Sequence, residues 1–172
     1  EVLVQMKAIG LNYADIYRRK GNYHLKGAPP YIAGYEGAGI VAASRHPKYA
    51  TGDRVAFADV PHANAEYVVV PGPHVIPLPE NIDFTMAASI LLQGLTADYL
   101  CNDSYAVKQN DTIVVHAASG GVGQILTQLC KLKQASVIGL TRDVNKLETI
   151  AEHATHALLL DANWTTAVMK IT

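Results

Sequence analysis

Between Asp111 and Leu140 the chain carries the pattern that most restricts its fold. Thr112-Ile113-Val114-Val115 is an apolar run with the length and β-branched composition of a buried strand. It breaks into His116-Ala117-Ala118-Ser119-Gly120-Gly121-Val122-Gly123, and a helical period follows. In that period Ile125, Leu126, Leu129 and Leu132 are apolar, with Gln124, Gln128, Lys131 and Lys133 between them. Ser136-Val137-Ile138-Gly139-Leu140 reads as a second strand. Strand, glycine-rich turn, helix and strand within about thirty residues is the βαβ unit that holds a dinucleotide pyrophosphate. The alternative is an ordinary tight strand-to-helix turn.

Glycines at such a turn let phosphates approach the backbone, and the first helical N–H groups lack partners inside the helix. Those donors and the positive end of the helix dipole favour an anion. The fingerprint here is Ala118-x-Gly120-x-x-Gly123, with alanine replacing the first glycine of the usual pattern. Ala118, Ser119, Gly120, Gly121, Val122 and Gly123 are therefore the candidate diphosphate-binding residues. A P-loop is excluded, because no Lys-Ser/Thr pair follows the glycines. At the end of the second strand, NAD-binding units usually place an acid for the ribose 2′-hydroxyl. Here that place falls at neutral Thr141, followed by Arg142 and, a turn later, Lys146. The set suits a 2′-phosphate, so NADPH is expected over NADH. Arg142 and Lys146 as solvated charges is the competing reading, and a slip of one or two residues would bring Asp143 to the ribose.

With 172 residues the chain can bury one sizeable core or two small ones. A charged fraction of 17 % and net charge of −1 argue against nucleic acid as a partner and against an acidic disordered tail. Cys101 and Cys130 have no metal-site spacing and suit a reducing, cytoplasmic setting with buried thiols. No apolar run reaches the roughly 18 residues of a membrane span.

Residues 1–83 differ from residues 84–172, and the expected domain boundary lies between them. The first part has short apolar runs broken by Gly and Pro, which predicts an antiparallel β domain. Its strands are expected at Val2–Ile9, Gly37–Ala43, Arg54–Phe57, Ala65–Val70 and Val75–Pro77. Helical turns are expected over Tyr13–Arg19, and turns at Gly27-Ala28-Pro29-Pro30, Thr51-Gly52-Asp53 and Pro71-Gly72-Pro73. A helical pattern rich in Ala and Leu covers Phe84–Leu100, and the final residues, Met169 to Thr172, read as part of a helix.

Four local sequences carry a family resemblance: Gly10-Leu11-Asn12-Tyr13-Ala14-Asp15-Ile16-Tyr17, Gly34-Tyr35-Glu36-Gly37-Ala38-Gly39, Gln93-Gly94-Leu95-Thr96-Ala97 and the glycine-rich turn. Together they resemble the medium-chain dehydrogenase/reductase superfamily, in its zinc-free branch of NADPH:quinone oxidoreductases related to ζ-crystallin. The resemblance covers essentially the entire chain. It implies an α/β fold, a GroES-like β domain followed by the first half of a Rossmann domain, and a fragment of a longer protein. It also implies a homodimer in the full-length protein. Zinc relatives carry cysteine where this chain has Asn12 and histidine where it has Tyr35, so no metal is expected.

The resemblance further implies that Asn12, Tyr17 and Tyr23 line the substrate pocket beside the nicotinamide. The structural alternatives are that Tyr17 packs as a core aromatic and Asn12 caps a short helix. Thr96 matches the threonine of a Gly-Leu-Thr turn near the nicotinamide, with helix capping as its alternative. Ser119 to Val122 match the pyrophosphate-binding backbone, and Lys146 matches a lysine that contacts the 2′-phosphate. Gln93 departs from the lysine many relatives carry. Asp161 stands where some have tyrosine, and an acid there would sit badly beside a 2′-phosphate. The expected activity is an NADPH-dependent reductase of a small quinone in the cleft between the two domains. An enoyl or alkenal reductase is the alternative within the enzymes, and a non-catalytic, crystallin-like NADPH-binding protein is the alternative outside them.

Overall fold

Alternation at the start of the chain builds the first strand, β1 (Val2–Ile9), with Val2 and Val4 fully buried. The computed structural model describes residues 1–23 and 30–172. Of the predicted Gly27-Ala28-Pro29-Pro30 turn, only Pro30 lies among the described residues. The described chain divides into two units, Glu1–Leu92 and Gln93–Thr172.

The first unit is a five-stranded antiparallel sheet. After β1 come β2 (Glu36–Ser44), β3 (Arg54–Ala58), β4 (Tyr67–Val70) and β5 (Val75–Pro77), in the order β4-β1-β2-β3-β5. One face is a core of Val2, Val4, Val41, Val55, Phe57 and Val70. In β4 the period of two is plain, with Val68 and Val70 buried and Tyr67 and Val69 exposed. A second, smaller cluster gathers Ala38 and Ala56 of the sheet with Ala87 and Ala88 of helix α2 (Phe84–Tyr99). Its four buried members are all alanines, which let a helix backbone come close to a sheet. The start of α2 is fixed twice. Asp83 Oδ1 accepts from Met86 N–H at 2.7 Å, and Arg54 donates to the Ile82 carbonyl while stacking 4.3 Å over the Phe84 ring. Helix α1 (Tyr13–Arg19) lies between β1 and β2 in the chain.

The second unit is a parallel α/β array. It runs β6 (Thr112–Val115), α3 (Gly121–Leu132), β7 (Ser136–Thr141), α4 (Leu147–Ala151), β8 (His156–Leu159) and α5 (Trp164–Met169). The strands pair in parallel in the order β6-β7-β8. Central β7 is buried along nearly its whole length, as a strand covered on both faces must be. Val137 packs with Val115, Cys130 and Ile150, while Ile138 and Leu140 pack with Val168 and Trp164. Both cysteines are buried free thiols. Among the described residues, no helix is long and apolar enough to cross a membrane.

Some boundaries differ from expectation. Strand β4 starts at Tyr67 rather than Ala65, because its pairing with β1 stops at Gln5–Tyr67, just before the β1–β2 register shifts between Met6 and Ala8. Helix α2 ends at Tyr99 and passes into a π turn, Leu100–Ser104. Helix α5 closes at Met169, where the Lys170 N–H reaches back to the Ala167 and Val168 carbonyls, so the last residues leave the helix.

Candidate functional site

The glycine-rich turn is built from both of its ends. Strand β6 stops at Val115, and Ala117 takes a left-handed backbone, φ 51°, uncommon for a residue with a side chain. The Gly120 N–H then donates to the Ala117 carbonyl at 2.8 Å. Ala118 donates its N–H to the Leu140 carbonyl at 3.0 Å and is buried against the α3–sheet core. Its amide is thereby committed to β7. Gly120 caps α3 with an extended backbone, and the helical amides begin at Gly121, two residues later than Ser119. The N–H groups of Gly121, Val122 and Gly123 occupy the first turn of α3, where no earlier helical carbonyl serves them. Gly123 makes this geometry possible, since a Cβ there would collide with the Ala117 carbonyl and lie 2.7 Å from Ala118 Cα. Gln124 Nε2 donates to the Ser119 carbonyl at 2.9 Å, holding the turn from the helix side. The Gln93 side-chain amide lies over Gly121, in the space its Cβ would take.

Ser119 and Thr141 meet at the carboxyl ends of β6 and β7, where open α/β sheets bind ligands. Their hydroxyl oxygens are 3.5 Å apart. Thr141 is buried, and its Oγ1 accepts from the Asp143 N–H at 3.2 Å. Asp143 turns its carboxylate back on its own loop, accepting from Asn145 N and Nδ2, both at 3.1 Å. Arg142 and Lys146 flank it, both exposed. Asp161 is exposed and accepts from Asn163 N–H at 2.8 Å. Thr96 is exposed in the interior of α2, so Gly94-Leu95-Thr96 forms part of a helix and not a turn.

The second group of candidates gathers at α1. Asn12 precedes the helix with extended backbone, and its N–H donates to Asp15 Oδ2 at 3.0 Å. Its side chain takes part in the capping box that opens α1, facing the Asp15 N–H, and its Nδ2 donates to Glu36 Oε2 at 2.8 Å. Tyr17 and Tyr23 are each about half exposed, so Tyr17 is not a core aromatic, and it leans on Tyr13 with ring centroids 6.1 Å apart. Arg18 joins the group, with its guanidinium 3.4 Å over the Tyr35 ring, 4.9 Å from the Tyr23 ring and 3.4 Å from Asp15.

Glu36 is the residue that sequence reasoning passed over. It is 1 % exposed, at the first position of β2. Oε1 accepts from the Leu92 N–H of α2 and Oε2 from Asn12. Burial pushes its carboxyl above the usual carboxylate range, against the pull of those two donors. An acid heading an otherwise apolar strand, Glu36-Gly37-Ala38-Gly39-Ile40-Val41, was the available signal.

Residues 1–80 match the alcohol dehydrogenase GroES-like domain. The chain is 40 % identical over 156 residues to a quinone oxidoreductase of Pseudomonas aeruginosa, an alignment that covers 89 % of this chain and 48 % of the relative. It is 31 % identical over 163 residues to a 2-haloacrylate reductase of a Burkholderia species, covering 91 % of this chain and 49 % of the relative. A solved structure of Escherichia coli quinone oxidoreductase complexed with NADPH superposes with a TM-score of 0.88 and 31 % identity, over 99 % of this chain and 53 % of that one. The chain thus spans about half the length of the curated relatives it matches. An antiparallel GroES-like sheet, a parallel sheet with the glycine-rich turn and these likenesses in sequence and structure agree, and the chain belongs to the medium-chain dehydrogenase/reductase superfamily, beside its quinone oxidoreductases.

Proposed function

We propose that this chain carries the cofactor turn and the acceptor-facing residues of an NADPH-dependent reductase that delivers hydride to a quinone without zinc. The observation that carries the reading is the Gly123 contact, which seats the first amides of α3 close under Ala117 and Ala118. The unserved amides and the positive end of the α3 dipole suit a diphosphate there by charge. The likeness to a quinone oxidoreductase complexed with NADPH supports the same cofactor here. When bound, NADPH supplies the hydride. The N–H groups of Gly121, Val122 and Gly123 would hold the diphosphate, with Ser119 and Thr141 beside them. Arg142 and Lys146 would pair with a 2′-phosphate, and the engagement of Asp143 and Asp161 in their own loops supports that choice. Asn12 would donate to the oxygen on which charge develops as hydride arrives, and Tyr17 and Tyr23 would wall the acceptor.

Zinc does not fit the residues present. Asn12 directs N–H toward Glu36, and the Tyr35 ring already holds the Arg18 cation. A quinone needs no Lewis acid, because negative charge spreads onto its oxygens. A second reading, reduction of an alkene conjugated to a carbonyl, is favoured by the likeness to a 2-haloacrylate reductase. The same donor at Asn12 serves either acceptor.

The test is the affinity of the full-length protein for NADPH and NADH, measured before and after Arg142→Ala and Lys146→Ala. Each change should weaken NADPH alone, by about 1–3 kcal/mol for a charge-assisted contact. Equal weakening of both cofactors, or none, places the 2′-phosphate elsewhere. Turnover with a small quinone against a small enone then separates the two acceptors.

A further inference from the structure

We propose that Glu36 is a positioning residue that fixes which way round the Asn12 amide faces the acceptor, a reading that rests on the role given to Asn12 above. The oxygen and nitrogen ends of an asparagine amide have nearly the same shape, so only hydrogen-bond partners choose between them. A buried carboxylate that accepts is such a partner: it takes one hydrogen of Nδ2, in concert with the capping box at Asp15. The donor given to the acceptor is then the second hydrogen of the same nitrogen. The carboxylate is itself fixed. Oε1 is tied to the backbone N–H of Leu92, which belongs to α2 and cannot turn. Oε2 sits in space left by Gly10, where a Cβ would collide with it and with the Ala88 carbonyl. Gly10 N–H in turn donates to the Glu36 carbonyl at 3.1 Å, so β2, the segment before α1 and α2 all converge on one side chain.

This arrangement sets the outcome of Glu36→Gln. Glutamine keeps the size but has one acceptor end. The Leu92 N–H demands that end, so Nε2 of the glutamine faces Asn12. Asn12 must then flip to offer Oδ1, which takes that oxygen out of the capping box and puts a lone pair where the second Nδ2 hydrogen had pointed. A brace that only held α1 to the sheet would survive this exchange, since a hydrogen bond is still made. An orientation device would not.

The experiment is a cycle in the full-length protein, with single-turnover hydride transfer to a small quinone, NADPH affinity and thermal unfolding as readouts. Asn12→Ala should slow transfer on the order of ten- to a hundredfold. Glu36→Gln should slow it by a similar factor with NADPH affinity unchanged, and adding it to Asn12→Ala should produce no further loss. Independent losses that multiply, or a Glu36→Gln enzyme at full rate beside a slow Asn12→Ala enzyme, overturn the positioning role. An Asn12→Ala enzyme at full rate instead overturns the function given to Asn12. In that event the stability cycle still decides orientation. The pair Glu36→Gln with Asn12→Asp restores a donor facing an acceptor and should melt higher than Asn12→Asp alone. If Glu36→Gln fails to fold by itself, recovery in that pair supports the proposal and failure to recover overturns it.

Discussion

Adding one methyl group at Gly123 gives the sharpest test of the cofactor turn. In Gly123→Ala the new Cβ falls 2.7 Å from Ala118 Cα and 2.9 Å from the Ala117 carbonyl carbon, besides colliding with the Ala117 oxygen. The first of these is roughly 0.7 Å inside the 3.4 Å limit of ordinary contact. Neither neighbour can give way easily. Ala117 is already left-handed, and Ala118 is tied through its N–H to Leu140. The start of α3 must therefore move outward by a comparable amount, at a cost of about 1–3 kcal/mol for overpacking against backbone. The same movement would take an N–H···O contact from about 2.9 Å to beyond hydrogen-bond range. Losing one such bond to a charged group costs about 1.5–3 kcal/mol, a roughly ten- to hundredfold rise in Kd. The assay is fluorescence titration of NADPH, with urea unfolding in its absence. Gly94→Ala is the control: its Cβ would meet nothing within 4 Å, and it sits inside α2. A helical Gly→Ala change there should stabilise by about 0.5–1 kcal/mol and leave Kd alone. A Gly123→Ala protein with unchanged Kd, or a Gly94→Ala protein equally impaired, would refute the cradle.

Two further outcomes concern buried polar groups. Thr141→Val keeps shape but leaves the Asp143 N–H without the Thr141 hydroxyl and the Ser119 hydroxyl without its neighbour; the urea midpoint should fall by the equivalent of about 1–2 kcal/mol, and an unchanged midpoint would show that this hydroxyl carries no load. Glu36 makes stability depend on pH, because burial raises its folded pKa above the ordinary value of 4.5. Between those two values the folded chain binds more protons than the unfolded one, so this contribution is fully present below 4.5 and declines as pH rises through the folded pKa. The difference in unfolding free energy between the parent and Glu36→Gln should fall with rising pH in that window, and a difference that grows would reverse the assignment.

What could be read from the chain follows from the range of the interactions involved. Strand β1, helix α1 and strand β5 take their expected bounds because alternation, a capping position and Pro-Gly punctuation act over a few residues. The turn was legible for the same reason, since Gly120 and Gly123 lie three residues apart on one loop. The placement of its amides was less so. Ala118 is drawn into the core by the Leu140 carbonyl, a partner 22 residues away that no local pattern announces. Glu36 was illegible as a site residue on the same ground. Its two donors come from 24 residues before it and 56 after it. Each is unremarkable in its own neighbourhood, an asparagine ahead of a short helix and an apolar position on a longer one.

That separation bears on how the α1 region works. A side chain whose partners were local could be lost at the expense of one turn. Glu36 instead binds the backbone of α2 with one oxygen and the Asn12 side chain with the other, so a displacement of α2 at Leu92 is transmitted to Asn12 through a single carboxylate. The alanine layer of Ala38, Ala56, Ala87 and Ala88 sets how closely α2 approaches the sheet, and hence where Leu92 stands. Enlarging that layer, as in Ala88→Val, would push the helix away and stretch the Leu92–Glu36 bond before it disturbed α1. The loss at Asn12 would then precede any loss of fold, which is the order expected of a positioning contact and the reverse of that expected of a simple brace.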